Sequence, residues 1–185
     1  MKVLGISGSL RRDSHNAALL RAAALQLPPG VELELWEGLK AVPPYDADDE
    51  ALARPRAIRE LDAAIRDADA VLIATPEYNH SVPGQLKNAL DWLSRPLAKS
   101  PLRNKPLAVI GASTGLFGAV WAQAEVRKVA TAIGANVIDR ELPVGQAADA
   151  FTEDGRLADG ELELVLADLL AELLGEVRVA LAEAA

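Results

Sequence analysis

Two arginines, two serines and an asparagine crowd into nine positions in the stretch GSLRRDSHN, Gly8 to Asn16. An apolar run precedes it and a helix-like segment follows, so Ser9, Arg11, Ser14 and Asn16 fall just before or within the first turn of a helix. The free N–H groups and dipole of such a turn already favour an anion. The pattern suits a phosphate cradle, and Ser14 is also placed to serve as an ordinary helix cap. Neither G-x-G-x-x-G nor G-x-x-x-x-G-K-[ST] occurs here, so a monophosphate fits this loop better than a triphosphate.

Two further stretches carry unusual residues. TPEYNHSVPG, Thr75 to Gly84, sets an aromatic, an amide and an imidazole between two prolines that fix the backbone direction. A stiff loop of this kind suits the edge of a flat heteroaromatic ring, with Tyr78 bordering the ring and backbone groups of Glu77 to His80 reading its edge. The alternative is a stiff turn with Tyr78 in the core. GASTGLFG, Gly111 to Gly118, contains a G-x-S-x-G pattern centred on Ser113. That is the placement of a hydrolase nucleophile, but such enzymes need a histidine after the serine, and His15 and His80 both precede it. Small residues that let backbone amides approach a ligand are the simpler reading. His80, a lone loop histidine, reads first as a packing or hydrogen-bonding residue.

Composition narrows the remaining classes. The 185 residues suit one domain, residues 1–185, large enough for a substantial core. Disorder is expected only in the last few residues of the alanine-rich C-terminus. Nineteen basic against 27 acidic residues give a net charge of -8, which disfavours nucleic acid and anionic membranes as partners. The absence of cysteine excludes disulfides, thiolate nucleophiles and cysteine-bound metal. The short apolar run at the N-terminus is too little for a signal peptide or a membrane span, and a cytoplasmic location is expected.

The elements that must position these loops alternate. Strands are predicted at Lys2 to Ser7, Val31 to Leu35, Ala70 to Thr75 and Pro106 to Ser113, with a short fifth at ANVID, Ala135 to Asp139. Helices are predicted at His15 to Gln26, Pro55 to Asp67, from about Pro83, over Val120 to Ile133, and from Gly160 along one apolar stripe. The continuous apolar runs AVLIAT and PLAVIGAS suit parallel strands covered on both faces. The result is an open, doubly wound α/β sheet, in which ligands sit beyond the carboxyl ends of the strands. All three unusual loops occupy such positions and should converge on one crevice.

GSLRRDSHN together with PEYNHSVPGQLKNALDW, Pro76 to Trp92, resembles the NADPH-dependent FMN reductase family, the flavodoxin-like group that includes chromate, quinone and azo-dye reductases. The resemblance implies a five-stranded parallel sheet in the order 2-1-3-4-5, with helices on both faces and FMN bound without a covalent link. It implies that Ser9, Arg11, Ser14 and Asn16, with Leu10 and His15 in the same loop, hold the phosphate. Pro76, Glu77, Tyr78 and Asn79, with His80 beside them, would hold the isoalloxazine, and Ser113, Thr114 and Gly115 the far edge of the ring. No side chain is assigned to catalysis, because the cofactor carries the reaction. By the same likeness NADPH or NADH reduces FMN and leaves, and a quinone, azo compound, chromate or flavin then takes the electrons, in ping-pong fashion. An electron-carrying flavodoxin is the alternative, although such carriers lack an arginine in the phosphate loop. Family members form homodimers or homotetramers. Leu86, Leu90, Trp92 and Leu93 exceed what one core-facing stripe needs, so either part of that helix meets a second chain or all four are buried. One departure from the family pattern stands at the start of the fourth helix, where Gly118 is followed by Ala119 instead of a second glycine.

Overall fold

A computed structural model describes residues 1–50 and 52–183. Of the last few residues, for which disorder is expected, those up to Glu183 are helical, and residues 184 and 185 lie outside the described residues. In chain order the elements are β1 (Lys2–Ser7), α1 (His15–Gln26), β2 (Glu32–Trp36), α2 (Ala47–Glu50), α3 (Arg56–Asp67), β3 (Ala70–Thr75), α4 (Gly84–Leu93), β4 (Pro106–Ala112), α5 (Val120–Ile133), β5 (Asn136–Val137), β6 (Pro143–Val144) and α6 (Gly160–Glu183). The sheet is parallel throughout and runs β2-β1-β3-β4-β5, the expected order.

Alternation along the strands builds two cores. Leu4, Ile6, Val71, Ile73, Leu107 and Val109 face α3, α4 and α5, whereas Val3, Ala70, Leu72, Ala74, Ala108 and Ile110 face α1 and α6. Every residue of β3 and of β4 is buried, which accounts for their unbroken apolar runs. The fifth strand position is divided. β5 pairs with Pro106 and Leu107 at one end of β4, the chain bends away, and β6 returns beside Gly111 and Ala112 at the other. The run ANVID therefore supplies only two strand residues, and the return segment carried no apolar run by which to recognise it.

The question raised by α4 is settled by packing. Leu86, Leu90, Trp92 and Leu93 are all buried in this chain's own core, so none remains for a second chain. The irregular crossover after β2 makes this possible by folding over the helix. Tyr45 stacks edge-on against Trp92 at 5.1 Å between ring centroids, and the Trp92 indole N–H donates to the carbonyl of Pro43 at 3.0 Å. A buried tryptophan thus finds both apolar cover and a partner for its one polar atom.

Candidate functional site

The loop after β1 is organised by Ser14, which caps α1. Its Oγ accepts from the N–H groups of Asn16 and Ala17 at 3.2 and 3.3 Å, leaving the hydroxyl proton available to donate. The N–H of His15 has no acceptor among the described residues and stands at the positive end of the helix. Asn16 is buried and joins two loops: its Nδ2 donates to the carbonyl of Ala112, and its Oδ1 accepts from the Ala112 N–H, both at 2.9 Å. One Nδ2–H remains for a ligand. Arg11 is exposed, and no carboxylate among the described residues pairs with it.

The loop after β3 is a tight reversal. Tyr78 and Ser81 exchange both backbone hydrogen bonds at 3.1 Å, and the two residues between them, Asn79 and His80, have φ of 54° and 59°. Two successive left-handed residues define a type I′ turn, a conformation in which asparagine is well tolerated. The turn is fastened to α5 at both ends. Glu77 Oε2 accepts from the N–H groups of Trp121 and Ala122 at 3.0 and 3.1 Å. These are orphan donors, because Ala119 at the helix start offers no capping side chain. On the other side Glu125 accepts from the Ser81 hydroxyl at 2.6 Å and the Val82 N–H at 2.9 Å. These two bonds hold its carboxyl below the ordinary glutamate range. Tyr78 is exposed rather than in the core, and His80 lies edge-on to Trp121 at 4.8 Å.

The third loop leaves β4 beside these two. The Ser113 hydroxyl makes only a long contact, 3.5 Å, to the Gly115 carbonyl and, among the described residues, no hydrogen bond to a histidine, so no hydrolytic triad is assembled. Gln123 shapes this loop from behind. Wholly buried, it donates to the carbonyls of Gly118 and Leu142 at 3.0 and 3.2 Å and accepts from the Leu142 N–H at 3.0 Å. Ala119 adopts φ 62° with its methyl buried against Gly111, away from the crevice. The missing second glycine therefore costs backbone strain but does not fill the site.

The three loops line one open crevice of about 230 Å³, to which Ser9, Arg11, Ser14, His15 and Asn16 contribute from the first. Pro76, Glu77 and Tyr78 come from the second loop, and Ala112, Ser113 and Thr114 from the third. Leu10 instead lines a neighbouring cavity, whereas Asn79, His80 and Gly115 stand just outside the crevice lining. Glu125, Gln123 and the bridging role of Asn16 were missed by sequence reasoning. Gln123 and Glu125 sit in the first two turns of a helix that reads simply as amphipathic, and nothing in the spacing shows which loop each reaches.

A hydroxyl, an unshared helix N–H and a free guanidinium at one end, with an exposed phenol and small residues at the other, match the polar tail and flat ring of a flavin mononucleotide. The fold and this crevice together define a flavodoxin-like α/β protein. Residues 1–149 match the family model described as NADPH-dependent FMN reductase, and the chain belongs to that family. It is 43% identical over 173 residues to an NAD(P)H-dependent FMN reductase of Pseudomonas aeruginosa, covering 92% of each chain. A quinone reductase of Escherichia coli is 38% identical over 141 residues, 76% of this chain and 74% of that one. Among solved structures, the flavoenzyme NAD(P)H:(acceptor) oxidoreductase FerB of Paracoccus denitrificans superposes with a TM-score of 0.83 at 33% identity, covering 96% of this chain and 97% of its own. The chain is accordingly an FMN-dependent NAD(P)H oxidoreductase.

Proposed function

We propose that the crevice seats FMN with its phosphate at the amino end of α1 and its ring between the loops after β3 and β4. The observation that carries this reading is the convergence of three loops on one crevice, at one end of which the Arg11 guanidinium and the His15 N–H have no partner among the described residues. Held there, FMN would supply two-electron redox chemistry between NADPH or NADH and a quinone, an azo compound, chromate or a free flavin.

The protein's part is position and electrostatics. Arg11 and the Ser14 hydroxyl would neutralise and orient the phosphate, with the His15 N–H and the helix dipole behind them. Asn16, by clamping Ala112, keeps the first and third loops at a fixed separation. The doubly fastened turn at Tyr78 to Ser81 would present a rigid border to the ring, and Gln123 keeps the third loop from collapsing into its space. None of these residues needs to exchange a proton with substrate.

A homodimer or homotetramer belongs to the same reading, though not through Leu86, Leu90, Trp92 or Leu93, which are buried. Leu116 and Phe117 are 70% and 60% exposed, and Phe117 packs edge-on to the exposed Trp121 at 5.2 Å beside the crevice. An apolar patch at the mouth of a site suits a second subunit that would help enclose the ring. Residues 1–185 acting as one domain, in the cytoplasm, complete the proposal. No described helix is long and apolar enough to cross a membrane.

The test is the visible spectrum of the purified protein, followed by anaerobic addition of NADPH. A flavin spectrum that bleaches on addition is expected. A colourless protein that takes up no added FMN would overturn the assignment, and a stable one-electron intermediate on photoreduction would favour an electron carrier.

A further inference from the structure

A second cavity, of about 290 Å³, opens next to the flavin crevice and shares Ser9 and Arg11 with it. It lies on the β2 side of the first loop, over the start of α1 and the turn that follows Trp36. Its charged lining is one-sided: Arg11, Arg12, Arg21 and Lys40 against the single carboxylate of Glu37. None of the four cations forms an ion pair among the described residues, although acidic residues outnumber basic ones in the chain. Unpaired cations gathered on one rim repel each other and are relieved by an anion that reaches several at once.

Part of the cavity wall is apolar. Leu35 and Leu39 flank Trp36, whose indole is folded over Gly38 so closely that a Cβ there would come within 2.4 Å of the ring. A side chain at position 38 would push the ring aside, so glycine lets it lie where it does. An anion-seeking rim beside an aromatic ring suits a ligand that is itself a planar ring bearing phosphate. The volume is at the lower end of the range for small-molecule sites, large enough for part of a dinucleotide but not for all of it.

We infer that this cavity receives the phosphorylated adenosine end of the nicotinamide dinucleotide donor. This rests on the FMN oxidoreductase reading, which requires such a donor to approach from the solvent side of the flavin crevice. Because Ser9 and Arg11 border both cavities, this cavity opens at the phosphate end of the crevice, and an extended dinucleotide seated in it would run along the crevice toward the ring. A donor carrying an additional phosphate on its adenosine gains most from Arg12, Arg21 and Lys40, so NADPH is preferred to NADH.

The experiment uses FMN-loaded protein and adenosine 2′,5′-bisphosphate, which carries the ring and phosphates but no redox-active group. Calorimetric titration should show binding, and steady-state kinetics should show competition with NADPH. In an R21A/K40A double variant, whose altered side chains are exposed, bisphosphate binding should weaken about tenfold or more. The KM for NADPH should rise in parallel and that for NADH less, with FMN content unchanged. A Gly38→Ala variant, which displaces Trp36 and keeps the charges, should weaken the bisphosphate without strengthening inorganic phosphate. Bisphosphate binding that is absent, that survives the double variant, or that does not compete with NADPH overturns the inference. So does inorganic phosphate binding as tightly as the bisphosphate. A protein that keeps FMN and oxidises NADPH yet fails these tests loses this inference alone, whereas one that holds no FMN loses both readings.

Discussion

The loops after β1 and β3 stand side by side at the same rim of the sheet but treat their polar groups in opposite ways. In the turn at Tyr78 to Ser81 the groups that fix the backbone are satisfied within the chain: two backbone bonds close the turn, Glu77 caps α5, and Glu125 takes the Ser81 hydroxyl and the Val82 N–H, while the N–H groups of Asn79 and His80 have no partner among the described residues. In the loop at Ser9 to Ser14 the arginines and the His15 N–H have no partner among the described residues. The first pattern lowers the energy of the folded chain, and the second holds interaction energy in reserve for a ligand. The same polar residue types therefore make a frame in one loop and a receptor in the other.

Asn16 joins the two patterns, and breaking it should produce the largest effect. Asn16→Ala leaves the N–H and carbonyl of Ala112 buried without partners, a loss of about 2–4 kcal/mol in urea unfolding. A change below about 1 kcal/mol would show that water replaces the side chain. Arg11→Ala should do the reverse, lowering FMN affinity by about 1.5–3 kcal/mol in a fluorescence titration while stability stays within about 0.5 kcal/mol. Equal effects on both measurements would erase the distinction between frame and receptor. Glu77→Ala removes a cap supplied from another element and should cost about 1 kcal/mol of stability.

Ala119→Gly should raise stability by about 0.5–1 kcal/mol, because the position already has the φ that glycine adopts freely. Thermal melts would show the gain, and unchanged FMN affinity would show that the methyl does not touch the site. The smallest effect concerns acid. The Glu125 carboxyl is held below its ordinary value in the folded chain, so the stability it contributes is present above the unfolded value of about 4.5 and is lost as pH falls through the lower folded value. Wild-type stability should therefore decline more steeply in that acid range than that of Glu125→Gln, in paired unfolding curves.

How much of this was legible in the sequence depends on whether a local pattern carried the information. β1, α1, β3 and α5 lie where apolar runs and helical period place them, because each is long enough to show its own periodicity. The order of the sheet followed from the family likeness. The split of the fifth strand position was not legible, since β5 and β6 are each two residues long and are strands only because β4 offers them partners. The turn at Gly38–Ala41 and the short α2 were likewise missed, in a crossover whose structure comes from packing over Trp92. At the site, residue types pointed to the cluster of donors at the start of α1 and to the rigid turn. They did not reveal which partners those residues already had, and so Asn16 read as a ligand contact when most of its amide ties two loops together.

The interrupted fifth strand position has a further consequence, for the chain's behaviour in company. An unbroken outer strand exposes a ladder of peptide groups that a neighbouring chain can extend, which is how many α/β and β proteins begin to aggregate. Here one border of the sheet is cut into two pieces too short to template a newcomer, and the other, β2, turns Glu32 and Glu34 toward solvent. The association proposed through the aromatic patch at the crevice mouth would therefore meet little competition from strand-to-strand growth at the borders.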